Sequence, residues 1–253
     1  MLEHFFRIPA AVSQHGRDVD LLFNLVHYLM AALFVGWLAY FLFVLWRFRA
    51  RSHPKADYKG VTNHSSTWLE VAVAGVEGVL LIGFAVPLWA KAVDAFPKPE
   101  ESTVIRCVAE QFGWTFIYPG PDGKFGRQEQ RLVTADNLFG FDREDPTTKD
   151  NVIVMNEMHA PLGRPIIMHC TSKDVIHSFK VVPFRVCQDC IPGLSIPIHF
   201  KPTEAGKYQI ICAQLCGNGH AAMASGRVVM ESPEAYDAWL KEKALAPAAT
   251  GFE

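Results

Sequence analysis

The sequence predicts a membrane-anchored all-β protein, in which a two-helix transmembrane hairpin is followed by a β-sandwich. Two long apolar runs, residues 21–46 and 68–89, lie near the N-terminus. Short segments rich in β-branched and aromatic residues, separated by Gly and Pro turns, come after them. The length of 253 residues leaves room for two membrane spans and one further domain. A net charge of −2 gives no basic footprint, so nucleic-acid binding is not expected.

The two apolar runs have the length of transmembrane helices. A helix needs about 20 apolar residues to cross about 30 Å of hydrocarbon, and both runs exceed that length. The first run is too long for the hydrophobic region of a signal peptide, and no clear Ala-x-Ala cleavage site follows it. The alternative is a pair of buried helices in a soluble protein. We predict a hairpin over residues 21–96 with its connecting loop at residues 47–66.

The charge of this loop predicts the orientation of the hairpin. Basic residues outnumber the single acidic one, Asp57, and they are Arg47, Arg49, Arg51, Lys55 and Lys59. Positively charged loops stay in the cytoplasm. The N-terminal segment 1–20 and all residues from the linker 97–102 onwards are therefore predicted to be extracytoplasmic. In a Gram-negative bacterium the protein would be a multi-pass inner-membrane protein whose soluble domain faces the periplasm.

Two glutamates interrupt the second apolar run. Glu70 and Glu77 lie seven residues apart, which places them on nearly the same face of a helix. A charge at the depth of Glu77 is costly without a partner. Gly75 and Gly78 flank Glu77 and would allow another helix to approach closely. We therefore expect this face to pack on another protein, so that the chain is part of a multisubunit complex.

Residues 103–241 are predicted to form the β-sandwich. The candidate strands alternate or are rich in β-branched and aromatic residues, and they are residues 104–108, 114–118, 151–155, 165–170, 195–200 and 207–212. About 130 residues of short strands separated by turns fit a sandwich. Ser232 and Pro233 have the N-cap and first-turn chemistry of a short final helix. Residues 242–253 are predicted to be a flexible tail.

Four metal-binding side chains lie close together near the C-terminus. Cys212, Cys216, His220 and Met223 have the spacing C-x3-C-x3-H-x2-M. A single electron-transfer copper takes two His, one Cys and a weak axial Met, so this loop has one Cys more than one copper needs. A distant second histidine, such as His177, would complete a site for two coppers bridged by two thiolates. The alternatives are a disulfide between the two cysteines and a structural role for His177 in the core.

This spacing, together with the upstream segment Asp-Val-Ile-His-Ser at residues 174–178, resembles the binuclear copper domain of cytochrome c oxidase subunit II. The resemblance covers both helices and the following domain, and it implies a cupredoxin-like β-sandwich. In that family two cysteines bridge both coppers, each histidine binds one copper, and the methionine is a weak ligand. A backbone carbonyl between the cysteines also contacts copper. The ligands implied here are His177, Cys212, Gln214 (through its carbonyl), Cys216, His220 and Met223.

The resemblance also implies a function. The chain would accept single electrons from a c-type cytochrome and pass them to haem in a separate catalytic subunit I, which reduces O₂ in a proton-pumping oxidase with further subunits. Glu70 matches a glutamate at the mouth of a proton-uptake path into that subunit. A quinol oxidase subunit is a rival interpretation, but it would need no copper ligands. A copper chaperone with C-x3-C and a distant His is a second rival, but it would have one membrane anchor.

Two positions depart from the family pattern. Gln214 stands where many members have a glutamate that also binds Mg²⁺ at the subunit boundary, and an amide is a weaker ligand for a hard cation. This replacement argues against a Mg²⁺ site. Phe112 stands where the family usually has a Trp through which electrons enter. We expect Trp114 or a neighbouring backbone path, rather than Phe112, to carry them. The alternative for Trp114 is an ordinary core aromatic.

The chain has six cysteines, more than the copper motif uses. Cys187 and Cys190 form a C-x-x-C pair that is not followed by His, so covalent attachment of haem c is not expected. Outside the cytoplasm a local disulfide between them is predicted. Free thiols and a role in copper loading are the alternatives. Cys107 and Cys170 lie in strand-like runs and are interpreted as buried thiols.

Overall fold

The computed structural model describes residues 6–55, 58–60, 62–120, 122–134 and 136–245. The chain divides into two compact units. One is helical and extends from Asp18 to Lys91. The other contains the N-terminal segment up to Arg17 together with the chain from Ala92 onwards, and it holds all the β-strands.

The helical unit contains the two predicted apolar helices. Helix α1 (Gly16–Arg47) is followed by α2 (Ser65–Leu80), which continues through a π-helical turn (Leu81–Ala85) into α3 (Val86–Val93). Both continuous helices are long and apolar enough to cross a membrane, with mean hydropathy 2.2. None of their most apolar windows is buried within the chain, as expected for surfaces that face lipid or another subunit. The predicted loop residues Ala56, Asp57 and Val61 lie outside the described part of the chain.

The second unit is a β-sandwich, as predicted. The described residues of this unit form eleven strands, which are β1 (Thr103–Glu110), β2 (Gly113–Tyr118), β3 (Val152–Met155), β4 (Glu157–Pro161), β5 (Ile166–Ser172), β6 (His177–Val181), β7 (Val186–Cys190), β8 (Ile196–Phe200), β9 (Gly206–Gln209), β10 (Ile211–Cys212) and β11 (Arg227–Glu231). A five-stranded sheet has the order β3-β2-β1-β5-β8. Two three-stranded sheets have the orders β10-β6-β7 and β4-β11-β9.

The main core lies between the sheets. Alternate residues of β2, namely Trp114, Phe116 and Tyr118, point into it and are fully buried. The opposite face of β2 is also covered, because Ile117 packs in a second small cluster with Phe141 from the segment that follows. Every residue of β2 is therefore buried, although an outer strand face of a sandwich is usually solvated.

The N-terminal segment is part of the β unit. The amide of Val12 donates to the carbonyl of Pro183 at 2.8 Å, and the amide of Thr203 donates to the carbonyl of Val12 at 2.9 Å. The Ser13 hydroxyl donates to the carbonyl of Phe184 at 2.7 Å, and both Val12 and Ser13 are buried. Residues before the first helix therefore pair with the sandwich.

Helix α4 (Pro233–Leu245) covers one end of the sandwich. The Ser232 hydroxyl accepts a hydrogen bond of 3.2 Å from the amide of Ala235, which caps the helix. Trp239 stacks on the ring of His159 at 4.1 Å and meets Tyr118 edge-on at 5.2 Å. Most of the predicted tail, residues 246–253, lies outside the described residues.

Candidate metal centre

Strand pairing brings together the two parts of the predicted copper site. Strand β10 pairs antiparallel with β6, with Cys212 opposite Phe179. The amide of Ala213 donates a hydrogen bond of 3.0 Å to the carbonyl of Ser178. His177 is the first residue of β6, so this register places His177 beside Cys212 although the two residues are distant in sequence.

A tight turn positions the remaining side chains. The loop between β10 and β11 contains a 3₁₀ turn, His220–Ser225. Residues three apart eclipse one another in a 3₁₀ helix, so His220 and Met223 project from the same side of this turn. That side faces Cys216. Gly217, which follows Cys216, has φ of +130°, a conformation that other residues rarely adopt.

The side chains of the five predicted ligands form one cluster. The sulfurs of Cys212 and Cys216 lie 4.0 Å apart. From the Cys216 sulfur, Nδ1 of His220 lies at 3.4 Å and Sδ of Met223 at 3.5 Å. Nδ1 of His177 lies 3.1 Å from Sδ of Met223. Two thiols, two imidazoles and a thioether are the soft and borderline donors that copper selects, so the residues present fit copper.

The carbonyl of Gln214 also faces the cluster. The Cys212 thiol donates to this carbonyl with a sulfur-to-oxygen distance of 3.0 Å. Gln214 itself is an exposed residue. The backbone of this position is therefore available to a metal bound at Cys212, whereas its amide side chain lies at the surface.

Asp174 fixes the orientation of His177. Oδ1 of Asp174 lies 2.9 Å from Nε2 of His177, which leaves Nδ1 of the same ring directed at Met223. Asp174 is itself held by the amide of Gln111 at 2.7 Å. Burial alone would raise the pKa of Asp174, but hydrogen bonds from His177 and two backbone amides outweigh it and lower that pKa. Asp174 is therefore an ionised acceptor at neutral pH.

Two further hydrogen bonds attach the loop between β10 and β11 to residues in and beside β2. The indole Nε1 of Trp114 donates to the carbonyl of Met223 at 3.0 Å. The amide Nε2 of Gln111 donates to the carbonyl of Cys216 at 2.5 Å. Because both donors come from the region of β2, the loop is fixed to the five-stranded sheet as well as to β6. Sequence reasoning missed Gln111 and Asp174 as positioning residues.

The site is shielded from water but lies near the surface. His177 and Met223 are fully buried, and Cys216 is nearly so, whereas Leu215 between the two cysteines is 88% exposed. Burial, with the neighbouring Cys212 thiol, raises the pKa of Cys216 to about 11. That thiol is therefore protonated at neutral pH until a metal displaces its proton.

Phe112 and Trp114 have different environments. Trp114 is fully buried beneath the loop, its ring edge-on to His177 at 6.3 Å. Phe112 is 38% exposed and its ring lies against Gly219 of the loop. The predicted electron path through Trp114 or a neighbouring backbone path stays a prediction, because the burial of Trp114 does not test it. Trp114 matches the alternative of a core aromatic, and Phe112 is the residue at the surface.

The predicted disulfide between Cys187 and Cys190 is wrong. Both are free cysteines. They lie three residues apart on β7, which places their side chains on opposite faces of the strand, one exposed and the other buried. In an extended strand this spacing separates Cα atoms by roughly 10 Å, beyond the reach of a disulfide. The sulfur of Cys187 instead lies 3.5 Å from the hydroxyl of Ser178.

Cys190 lies instead in a second cluster of buried thiols. Its sulfur and those of Cys107 and Cys170 all lie within 4.8 Å of one another. Burial raises the pKa of Cys107 well above its usual value. Hydrogen bonds donated by Cys107 and Cys170 lower the pKa of Cys190 to about 4. The three residues come from distant parts of the chain, so no local spacing pointed to this cluster.

The sequence profile of the periplasmic domain of cytochrome c oxidase subunit II matches residues 103–232. The chain belongs to the cytochrome c oxidase subunit II family. Subunit II chains are components of haem–copper terminal oxidases, so this chain is a membrane-anchored subunit of an oxidoreductase complex, as predicted. It also has the two apolar helices and the mainly β domain of that family.

Two bacterial relatives match this chain over most of their own length. An alternative cytochrome c oxidase subunit 2 of Bradyrhizobium diazoefficiens is 29% identical over 227 residues, which are 89% of this chain and 80% of the relative. A cytochrome c oxidase subunit 2 of Cereibacter sphaeroides is 26% identical over 249 residues, 92% of this chain and 77% of the relative. The crystal structure of the periplasmic domain of subunit II from Bradyrhizobium japonicum is 27% identical, with a TM-score of 0.42, over 58% of this chain and 95% of that domain.

Proposed function

We propose that this subunit II binds two copper ions and accepts single electrons from a c-type cytochrome. The proposed copper ligands are the side chains of His177, Cys212, Cys216, His220 and Met223 with the carbonyl of Gln214. The observation that carries the proposal is the convergence of all five side chains, from a strand and a distant loop, into one shielded cluster. The two copper ions that these residues would hold would supply one-electron transfer.

The protein's part is to hold the ligands in place. His177 begins a β-strand, Asp174 fixes its ring, and Trp114 anchors the backbone of Met223. Hydrogen bonds of this kind orient metal ligands and reduce their freedom to move. Because these supports come from packed strands, the positions of the ligands can stay nearly constant between two oxidation states.

The surface above the site is suited to a protein donor. Leu215 is 88% exposed. The exposed fraction is 38 to 40% for Val175 and Ile176, which precede His177, and for Phe112, whose ring lies against Gly219. Apolar residues at the centre of a contact with a partner are typical of protein–protein interfaces. We propose that the c-type cytochrome docks over Leu215 and that electrons pass from this surface to the copper site through Trp114 or a neighbouring backbone path.

The helical hairpin is proposed to bind the catalytic subunit I. Glu70 and Glu77 are exposed in this chain, and among the described residues a Cβ atom built on Gly75 or Gly78 would meet no atom within 4 Å beyond its own turn of the helix. This face is therefore open to a helix of another subunit, which could provide the partner that a glutamate in a membrane needs. Glu70 is proposed to admit protons from the cytoplasm. The loop at residues 47–66 would face the cytoplasm, and the β unit the periplasm of a bacterial inner membrane.

Other cofactors are not proposed for this chain. The amide of Gln214 is a weaker Mg²⁺ ligand than the carboxylate usual in the family, and the C-x-x-C pair has no following His for haem c.

Electron paramagnetic resonance of the full copper-loaded chain in detergent tests the function. The expected spectrum shows hyperfine structure from one electron shared over two equivalent coppers. Cys212→Ser or Cys216→Ser should abolish that pattern. A spectrum of a single copper in the wild-type chain would contradict the proposal.

A further inference from the structure

The thiols of Cys107, Cys170 and Cys190 form a site that is distinct from the proposed copper pair. Cys107 on β1 and Cys170 on β5 are directly opposite each other in the parallel pairing of these strands. Cys190 comes from β7 in another sheet. The three sulfurs therefore meet in the core between two sheets. All three lie within 4.8 Å of one another, and all three residues are 0% exposed.

This arrangement matches a metal site with three sulfur donors. A metal bound about 2.3 Å from each of three sulfurs requires the sulfurs to be about 4 Å apart, so small side-chain rotations would suffice here. Three ordinary core thiols from separate strands need not converge on one point. No fourth Cys, His, Asp or Glu of the described residues belongs to the group.

The number and the kind of donors favour monovalent copper. Structural zinc almost always takes four ligands, and hard cations take oxygen, whereas thiolates are soft donors that select Cu(I). Binding would displace the thiol protons, because cysteine coordinates a metal as the thiolate.

We propose that Cys107, Cys170 and Cys190 bind one Cu(I) ion in the interior of the sandwich. The ion would lie beside the proposed copper pair, because Cys190 is directly opposite the ligand His177 in the pairing of β7 with β6. It would be a third copper, filled independently of the pair. Since the sulfurs are fully buried, the ion would be acquired as the domain folds.

The experiment uses the full chain produced in copper-supplemented cells and purified in detergent without oxygen. Copper is counted by elemental analysis against protein concentration. About three copper ions per chain are expected for the wild type and about two for Cys170→Ser, with an unchanged spectrum of the copper pair. The matched control is Cys187→Ser, which removes an exposed cysteine outside the group and should keep all three ions.

A second variant keeps the three thiols intact. Cys212→Ser/Cys216→Ser should lose the pair and retain about one copper per chain, and its X-ray absorption should show only sulfur neighbours at about 2.3 Å. Adding Cys170→Ala to this variant should remove that copper. Absence of copper from the double variant would overturn the proposal, even if Cys170→Ser failed to fold. A disulfide between Cys107 and Cys170 in the copper-supplemented protein, found by mass spectrometry, would also overturn it.

Discussion

Asp174 shows how one residue that does not bind the metal can control a ligand. Its carboxylate accepts from His177 at 2.9 Å and from the amides of Gln111 and Val175 at 2.7 and 2.6 Å. These contacts fix which nitrogen of His177 faces the other ligands. A histidine without this partner can rotate or expose the wrong nitrogen to the metal.

Asp174→Ala is expected to weaken copper binding about 10- to 100-fold, because removal of a hydrogen bond to a metal-binding histidine typically has that effect. Competition with a copper chelator measures the affinity. Asp189→Asn, at an exposed position of β7, is the matched control and should bind copper like the wild type. Equal affinity of both variants would show that His177 needs no orientation by Asp174.

Met223→Leu should keep both coppers but shift the reduction potential of the site and its rate of electron transfer. The thioether is a weak ligand, and weak ligands tune a copper centre more than they anchor it. The hydrogen bond from Trp114 to the backbone of Met223 does not depend on the side chain, so the loop should keep its position. Redox titration measures the potential, and copper analysis provides the control. Loss of one copper would mean that Met223 is needed for retention.

At this scale most of the side-chain cluster was predictable from sequence, because Cys212, Cys216, His220 and Met223 lie within twelve residues, whereas His177 is distant in sequence and was identified by the segment Asp-Val-Ile-His-Ser. The error at Cys187 and Cys190 has a physical reason. A local disulfide was predicted from the C-x-x-C spacing, but the residues form β7, and a strand directs positions three apart to opposite faces. The convergence of Cys190 with Cys107 and Cys170 depends on the packing of two sheets, which no spacing in the sequence encodes.

The loop between β10 and β11 packs closely against the ring of Phe112. Gly219 has φ of −92°, which other residues also adopt, so its backbone does not require glycine. Space requires it instead, because an added Cβ would overlap the ring of Phe112. The glycine therefore allows the loop to lie flat on Phe112.

Gly219→Ala should destabilise the copper-loaded chain by about 1–3 kcal/mol, the usual effect of overpacking. In a Phe112→Ala background the same substitution should have little effect, since the overlapping ring is gone. Denaturant unfolding of the two single variants and the double variant provides the measurement. An equal loss of stability in both backgrounds would show that Phe112 is not the cause.

Most strands were predictable because each is a short apolar or aromatic run between turns. Strands β4 and β7 were missed. In β4, Glu157 and His159 interrupt the apolar character of the strand. These residues are accommodated because His159 bonds both Glu157 and Glu231, at 2.8 and 2.7 Å. The contact of Phe141 with the outer face of β2 was also not predictable. Phe141 lies in a long irregular segment, and such a segment has no repeating pattern in its sequence that indicates its path.

At the scale of the whole molecule, function depends on subunits outside this chain. Glu70 is exposed on the second apolar helix, on the face proposed to meet subunit I. In the assembled oxidase, Glu70→Ala should slow the proton-consuming phase of turnover and leave copper reduction unchanged. Haem-reduction kinetics at several pH values measure this phase, and Glu77→Gln is the matched control. Wild-type rates for Glu70→Ala at every pH would remove Glu70 from proton uptake.

The N-terminal segment pairs with the sandwich, so the chain belongs to the same folded unit before and after the helical hairpin. Val12 bonds residues from two other parts of the β unit, so the polypeptide leaves and re-enters one folded body on either side of the helical hairpin. A cut in the connection between the two helices would therefore not release the first fragment. We therefore expect that the protein can be expressed as two separate polypeptides, one ending before that connection and one starting after it. The two polypeptides should reassemble into one subunit.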